Sequence, residues 1–177
     1  MCIRDSTYPI EAAEMAGNLM AGRERNFAFE KLKSYEADAV QTMKEDWFTR
    51  TPPVHFYGYD QNAGAVDAAN ANAARAGVGE VCQFAVQPLS KLRAPEGPTG
   101  LVIVNPPYGE RIGNKKALLG LYREFGGVMQ SRFKGWRVGL VTSDDALAQA
   151  TKLDWTNISA PIPHGGLKIK LYQTGLL

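Results

Sequence analysis

The chain has 177 residues, 45% of them apolar and 21% charged, with 20 Lys and Arg against 18 Asp and Glu for a formal charge of +2. This predicts one globular domain and excludes solenoid repeats, low-complexity tails and any membrane-spanning run of ~18 apolar residues. The two cysteines, Cys2 and Cys82, lack CxxC spacing, so neither a disulfide framework nor a metal site follows and a reducing, cytoplasmic setting is expected.

Residues 1–6 (MCIRDS) read as no targeting signal, helix or strand. A helix is predicted over residues 10–20, with Ile10, Ala13, Leu19 and Met20 on one face and Gly22 ending it. A second helical pattern over 36–50 carries Val40, Met43, Trp47 and Phe48 and stops at Pro52-Pro53. The period then changes: VHFYGYD (54–60) is a strand ending on Asp60, and Ala-rich residues 62–76 form a helix before Gly77. Residues 81–86 form the next strand, and LVIV (101–104) reads as a strand covered on both faces. A helix over 115–133, a strand over 136–142, a short helix over 145–150 and strands over 155–159 and 167–172 complete the chain. Strands alternating with crossover-length helices predict an α/β fold with a mostly parallel sheet and an antiparallel edge.

The sharpest local feature is Asn105-Pro106-Pro107-Tyr108, directly after LVIV. By composition, a chance NPP-aromatic occurs at on the order of one in 10⁵ positions. Ligands of open α/β sheets bind beyond the carboxyl ends of strands, where this tetrapeptide is placed. Its chemistry suits group transfer to a planar amino nitrogen, whose delocalised lone pair becomes nucleophilic when acceptors hold its hydrogens. The Asn105 side-chain oxygen and the Pro106 carbonyl supply two acceptors, prolines restrict the backbone that aims them, and Tyr108 offers a ring for stacking. The same tetrapeptide also reads as a rigid turn whose Tyr packs on the core. Asp60 reads either as an acceptor for ribose hydroxyls or as the cap of the following helix. His55, His164 and Cys82 read as structural. Arg111, Lys115, Lys116 and Arg123 read equally as phosphate contacts or as a solvated helix face.

Taken in order, IEAAEMA, RNFAFEKL, FYGYD, AARAGV, VNPPYGERIGN and FKGWRVGLVTSD resemble the THUMP-associated class I RNA methyltransferases, nearest the bacterial enzymes that methylate guanine N2 in 23S ribosomal RNA. The likeness spans residues 7–177 and implies a Rossmann-like sheet of seven strands, S-adenosylmethionine as methyl donor, RNA as partner, no metal, and an upstream THUMP-type RNA-binding region. It assigns Asn105, Pro106, Pro107 and Tyr108 to a flipped-out guanine; NPPY also suits a tRNA guanine, a DNA adenine or a protein glutamine as acceptor, and a non-catalytic remnant of the fold is the other reading. Asp60 falls on the family's ribose-binding acid, and Thr7, Gln61, Gln87 and Asn105 fall beside the cofactor. Gln87-Pro88 departs from the acid that the family often places near adenine. The family's first strand and glycine-rich loop have no counterpart ahead of Thr7. Residues 1–6 are therefore expected to be an extraneous junction, and 7–177 a partial catalytic domain lacking a strand between 54–60 and 101–104.

Overall fold

A computed structural model describes residues 6–23, 25–108 and 115–177. Helix α1 (Thr7–Ala16) opens the fold. It stops before the expected Gly22, because Gly17 donates to Ala13 O and Asn18 takes the left-handed conformation at φ 54° that ends helices. Helix α2 (Ala37–Glu45) buries no residue and ends five residues short of the expectation. The chain instead turns back onto α1: Trp47 Nε1 donates to Asn18 O at 2.6 Å, and Arg50 Nε donates to Ala16 O at 2.8 Å.

Strand β1 (Phe56–Asp60), helix α3 (Ala63–Arg75) and strand β2 (Cys82–Val86) form a right-sized parallel unit. Asn62 caps α3 through its side chain, and Gly77 at φ 68° follows the helix as predicted. Strand β3 (Leu101–Val104), helix α4 (Lys115–Arg132) and strand β4 (Arg137–Thr142) make a second parallel pair. Helix α5 (Asp145–Ala150) and strands β5 (Trp155–Ile158), β6 (Ile162–His164) and β7 (Leu167–Thr174) complete it.

The result is an α/β fold with mixed sheets. Among the described residues β1 pairs only with β2, while the larger sheet runs β3-β4-β7-β5 with β6 on β7. The antiparallel component exceeds a mere edge, since β7 runs antiparallel to β4, β5 and β6. Strand β6 was not foreseen: Ile162-Pro163-His164 is too short for a periodic signal and exists by pairing across the Gly165-Gly166 turn. Among the described residues no ladder joins β1 to β3.

Two apolar clusters support these sheets. The larger gathers Tyr122, Phe125 and Met129 of α4 with Val138, Leu140 and Tyr172 of β4 and β7. The smaller joins Ile10 and Ala13 of α1 to Ala73, Val78 and Cys82. The expectation that LVIV is covered on both faces fails at its start, where Leu101 is 54% exposed. Among the described residues only one edge of β3 has a neighbour, and the other borders a cleft.

Candidate functional site

The cleft lies where the two sheets part and measures about 710 Å³, within the range that takes cofactors and small molecules. It runs along the whole gap between β1 and β3, from Thr99, Gly100 and Trp136 at the amino end of β3 to Val104, Pro106 and Pro107 at its carboxyl end, and reaches the N-terminal turn of α1. FYGYD supplies a strand whose Gly58 leaves room for the Phe84 ring, because a Cβ there would meet that ring at 2.4 Å. The strand ends on Asp60, which is 8% exposed and lines the cleft. Ser6 and Tyr8 of the α1 start line it from another side.

Asp60 is not the cap of α3; Asn62 is. One Asp60 carboxylate oxygen accepts the Asn62 N–H at 2.8 Å, and the Asp60 carbonyl accepts the Gln87 N–H at 2.8 Å. These bonds tie the ends of β1 and β2 together and fix the carboxylate at the cleft. Gln61 and Gln87 also line it, and the Gln87 side chain donates to Lys91 O at 2.8 Å. Thr7 does not: it is exposed on the first turn of α1, while its neighbours Ser6 and Tyr8 face the cleft.

At the end of β3, Val104 and Pro106 are buried and Val104, Pro106 and Pro107 line the cleft. Between the first two, Asn105 is not itself among the cleft-lining residues, and its side-chain oxygen is buried with no hydrogen-bond partner. A buried acceptor without a donor costs roughly 1–3 kcal/mol, and such a group in a folded protein calls for an explanation. The corner is braced from beneath. The Tyr122 hydroxyl donates to the Pro107 carbonyl at 3.3 Å and lies 3.4 Å from the Thr142 hydroxyl. Burial pushes the Tyr122 phenol up to about 12, so it remains a donor at neutral pH. Tyr108 is half-buried and packs against the larger core cluster, as the rigid-turn reading required, and it is not among the cleft-lining residues.

Sequence reasoning missed Tyr122 as the brace. Its signal was a polar-tipped ring on the apolar face Leu118-Tyr122-Phe125, since buried tyrosines usually find a hydrogen-bond partner. It also missed Tyr8 and Phe84, whose only cue was proximity to named segments. His55 stands just before β1, exposed, its ring 6.4 Å from Tyr57, and lines the cleft. His164 lies in β6, away from it. Cys82 is buried as read, with its thiol pushed up to about 11 by burial. Arg111 falls outside the described residues; Lys115, Lys116 and Arg123 belong to α4. Among the described residues no cluster of His, Cys, Asp or Glu is arranged to hold a metal, and no helix is long and apolar enough to cross a membrane.

Over residues 6–165 the sequence matches the family described as RMKL-like, methyltransferase domain. It is 38% identical over 149 residues to the ribosomal RNA large subunit methyltransferase K/L of Psychromonas ingrahamii, covering 80% of this chain and 20% of that protein. The chain thus spans about a fifth of the length of that relative. In structure it resembles SMU.472, described as a methyltransferase and solved in complex with SAH, with a TM-score of 0.86 and 28% identity over 96% of this chain and 45% of that one. A protein of Listeria monocytogenes described as a predicted N6-adenine-specific DNA methylase gives a TM-score of 0.81 and 28% identity, covering 97% of this chain and 44% of that one.

Proposed function

The chain belongs to the RMKL-like methyltransferase domain family, and on that premise we propose that it carries the S-adenosylmethionine-dependent site of an enzyme that methylates the N2 amine of guanine in 23S ribosomal RNA. The observation behind this reading is the buried, partnerless side-chain oxygen of Asn105, which follows β3 between Val104 and Pro106, two residues that line the same cleft as Asp60. An unsatisfied acceptor at that place suits an N–H supplied by a substrate. The cleft also fits the cofactor, with the Asp60 carboxylate placed to accept ribose hydroxyls and Gln61, Gln87 and Tyr8 around it. Thr7 lies next to that wall and contributes through the position of α1.

When bound, the cofactor supplies an electrophilic sulfonium methyl group. The chain's own residues do the rest. Asn105 Oδ1 and the Pro106 carbonyl accept the two amine hydrogens, which directs the nitrogen lone pair along the line of attack. Pro107, braced by Tyr122, keeps the corner from reorganising as charge develops. Tyr108 packs on the larger core cluster and holds the end of this corner in place. The surplus proton leaves the methylated amine to solvent once the carbon–nitrogen bond has formed and the carbon–sulfur bond has broken. An RNA-binding region of the THUMP type elsewhere in the full polypeptide, and a cytoplasmic setting with the ribosomal substrate, complete the reading.

The test is transfer of radiolabelled methyl groups from S-adenosylmethionine to 23S ribosomal RNA by the full polypeptide carrying Asn105→Ala. A loss of about 100-fold or more in rate is expected, the scale for removing one preorganised polar contact to a reacting group. Unchanged transfer removes the mechanism. Digestion of the product and mass analysis identify the base: N2-methylguanosine supports the reading, whereas N6-methyladenine, the product suggested by the Listeria relative's description, replaces it.

A further inference from the structure

The prolines that aim the Asn105-Pro106 corner also remove what would fasten it. Strands β3 and β4 run parallel, paired from Leu101 with Arg137 to Val104 with Leu140, and there their ladder ends. Pro106 and Pro107 have no N–H, so neither can donate to β4 beyond that point. Strand β4 continues to Thr142, held on its other side where Val141 pairs with Leu171 and Thr142 with Lys170 of β7. Thr142 follows the last paired residue of β4 by two positions, as Pro106 follows that of β3. A firm strand end therefore stands beside a corner that the backbone ladder leaves untied.

Thr142 is the odd residue of its strand. Residues Val138 to Thr142 are all buried, and Thr142 wholly so, yet it carries a hydroxyl where valine would fill the space without a polar atom. Among the described residues two neighbours account for that oxygen. It accepts the Asp144 N–H at 3.2 Å, and it lies 3.4 Å from the Tyr122 hydroxyl. The order of the protons follows from what each group can do. The Pro107 carbonyl, 3.3 Å from the phenol, only accepts, so Tyr122 gives it its one proton and the Thr142 proton goes to the phenol oxygen. The chain runs from Asp144 N–H through the Thr142 and Tyr122 hydroxyls to the Pro107 carbonyl, each donor polarised by the one behind it. Both hydroxyl separations exceed the usual range of about 2.5–3.0 Å for O–H···O, so the contribution of each link is modest.

We propose that Thr142 is a positioning residue for methyl transfer: acting through Tyr122, its hydroxyl registers the Pro107 carbonyl against the end of β4 and so holds the adjoining Pro106 carbonyl where it accepts an amine hydrogen. The inference rests on the reading of Asn105 and Pro106 as the acceptors of that amine. Thr142 touches no substrate, being 0% exposed and absent from the cleft lining, whereas Tyr122 and Pro107 both line the cleft. Its contribution is geometry, because a corner tied to a strand loses less rate to misdirected approach. A turn-capping role alone, in which the hydroxyl only accepts the Asp144 N–H, would leave Pro107 indifferent to it.

Two measurements test this. Pro107-Tyr108 is the single Pro-Tyr step in the sequence, so the 177-residue chain made with carbonyl-¹³C proline and ¹⁵N tyrosine gives one carbonyl–amide cross-peak by nuclear magnetic resonance. An accepted hydrogen bond moves a carbonyl carbon downfield. Tyr122→Phe should therefore move this peak upfield, Thr142→Val and Thr142→Ala should move it the same way by less, and Thr142→Ser should leave it in place. Far-ultraviolet circular dichroism checks that each variant is folded. In the full polypeptide, Thr142→Val should lower kcat for methyl transfer to 23S ribosomal RNA about 2- to 10-fold, the scale of one net hydrogen bond, with KM unchanged and with Thr142→Ser restoring the rate. Added to Tyr122→Phe, Thr142→Val should cost nothing further, because both act through one link. A peak indifferent to Thr142, or kcat losses that multiply in the double variant, would overturn the proposal in favour of a turn cap. A parent inactive on 23S ribosomal RNA removes the reading of the substrate alone, since the peak reports the link without methyl transfer.

Discussion

Helix α4 contains three glycines, and changing each to alanine should give opposite results within one helix. Gly127 is exposed, Gly120 is exposed, and a Cβ at either would meet nothing within 4 Å. Replacing them removes the entropic penalty of glycine in a helix, so Gly120→Ala and Gly127→Ala should each stabilise by about 0.5–1 kcal/mol. Gly126 is buried, and a Cβ there would lie 1.8 Å from the Thr151 carbonyl oxygen and 2.7 Å from its carbon. These are backbone atoms at the end of α5, and Thr151 is itself held by its hydroxyl donating to Ala148 O at 2.7 Å. Relief therefore requires α4 and the α5 terminus to separate by more than an ångström. Overpacking of this kind costs about 1–3 kcal/mol or more, set against ~1 kcal/mol of helix propensity gained. Gly126→Ala should thus be the least stable of the three, by about 1–3 kcal/mol relative to Gly127→Ala. Urea denaturation at 25 °C followed by far-ultraviolet circular dichroism measures this directly. Equal midpoints for Gly126→Ala and Gly127→Ala would show that α4 does not sit against Thr151 as described. The consequence reaches the site, because α4 also carries the Tyr122 that braces Pro107.

Asn105→Ala, expected to slow methyl transfer about 100-fold or more, should leave thermal stability unchanged or raised by up to ~1 kcal/mol, since it deletes a buried acceptor without a donor; a loss of several kcal/mol on calorimetry would mean that Asn105 is structural. Lys152 sits at φ 58° just past α5, so Lys152→Gly should stabilise by about 1 kcal/mol in the same urea assay, with destabilisation counting against left-handed strain there. Burial raises the Cys82 thiol to about 11. Because the folded state favours the protonated thiol, its stabilising contribution is complete below the unfolded value near ~8.5 and is lost as pH rises towards that raised value. In a Cys2→Ser background, Cys82 should react with a disulfide reagent at pH 8.5 far more slowly in the folded than in the urea-unfolded chain, and equal rates would contradict its burial.

The helices α3, α4 and α5 and the strands β1 to β4 were legible because their apolar periods coincide with what the fold buries. Asn62 and Gly77, at the two ends of α3, wrote its limits into the sequence. Helix α2 was overread because Trp47 and Phe48 continue its apolar stripe, whereas hydrogen bonds to α1 claim that stretch. Strand β6 was invisible because only its partner defines it. At the candidate site, Asp60 and Asn105 announced themselves by standing at the ends of two strands. The cleft between them was not readable, since it depends on which strands fail to pair. Nor was the partnerless oxygen of Asn105, because a side chain's acceptor count shows only in three dimensions.

The parting of the sheets also bears on how the molecule melts. The acid that would hold a ribose ends a strand of the two-stranded sheet, beside the small cluster of Ile10, Ala13, Ala73, Val78 and Cys82. The asparagine follows a strand of the other sheet, which the large cluster supports; Tyr59, Leu89 and Leu92 pack into that cluster from the two-stranded side, and Arg132 donates to the Ser90 and Leu92 carbonyls. A chain built this way has a weak partner and a strong one. The weak one should lose order first on heating, and any molecule lying across the cleft would act as a splint that makes the two lose order together.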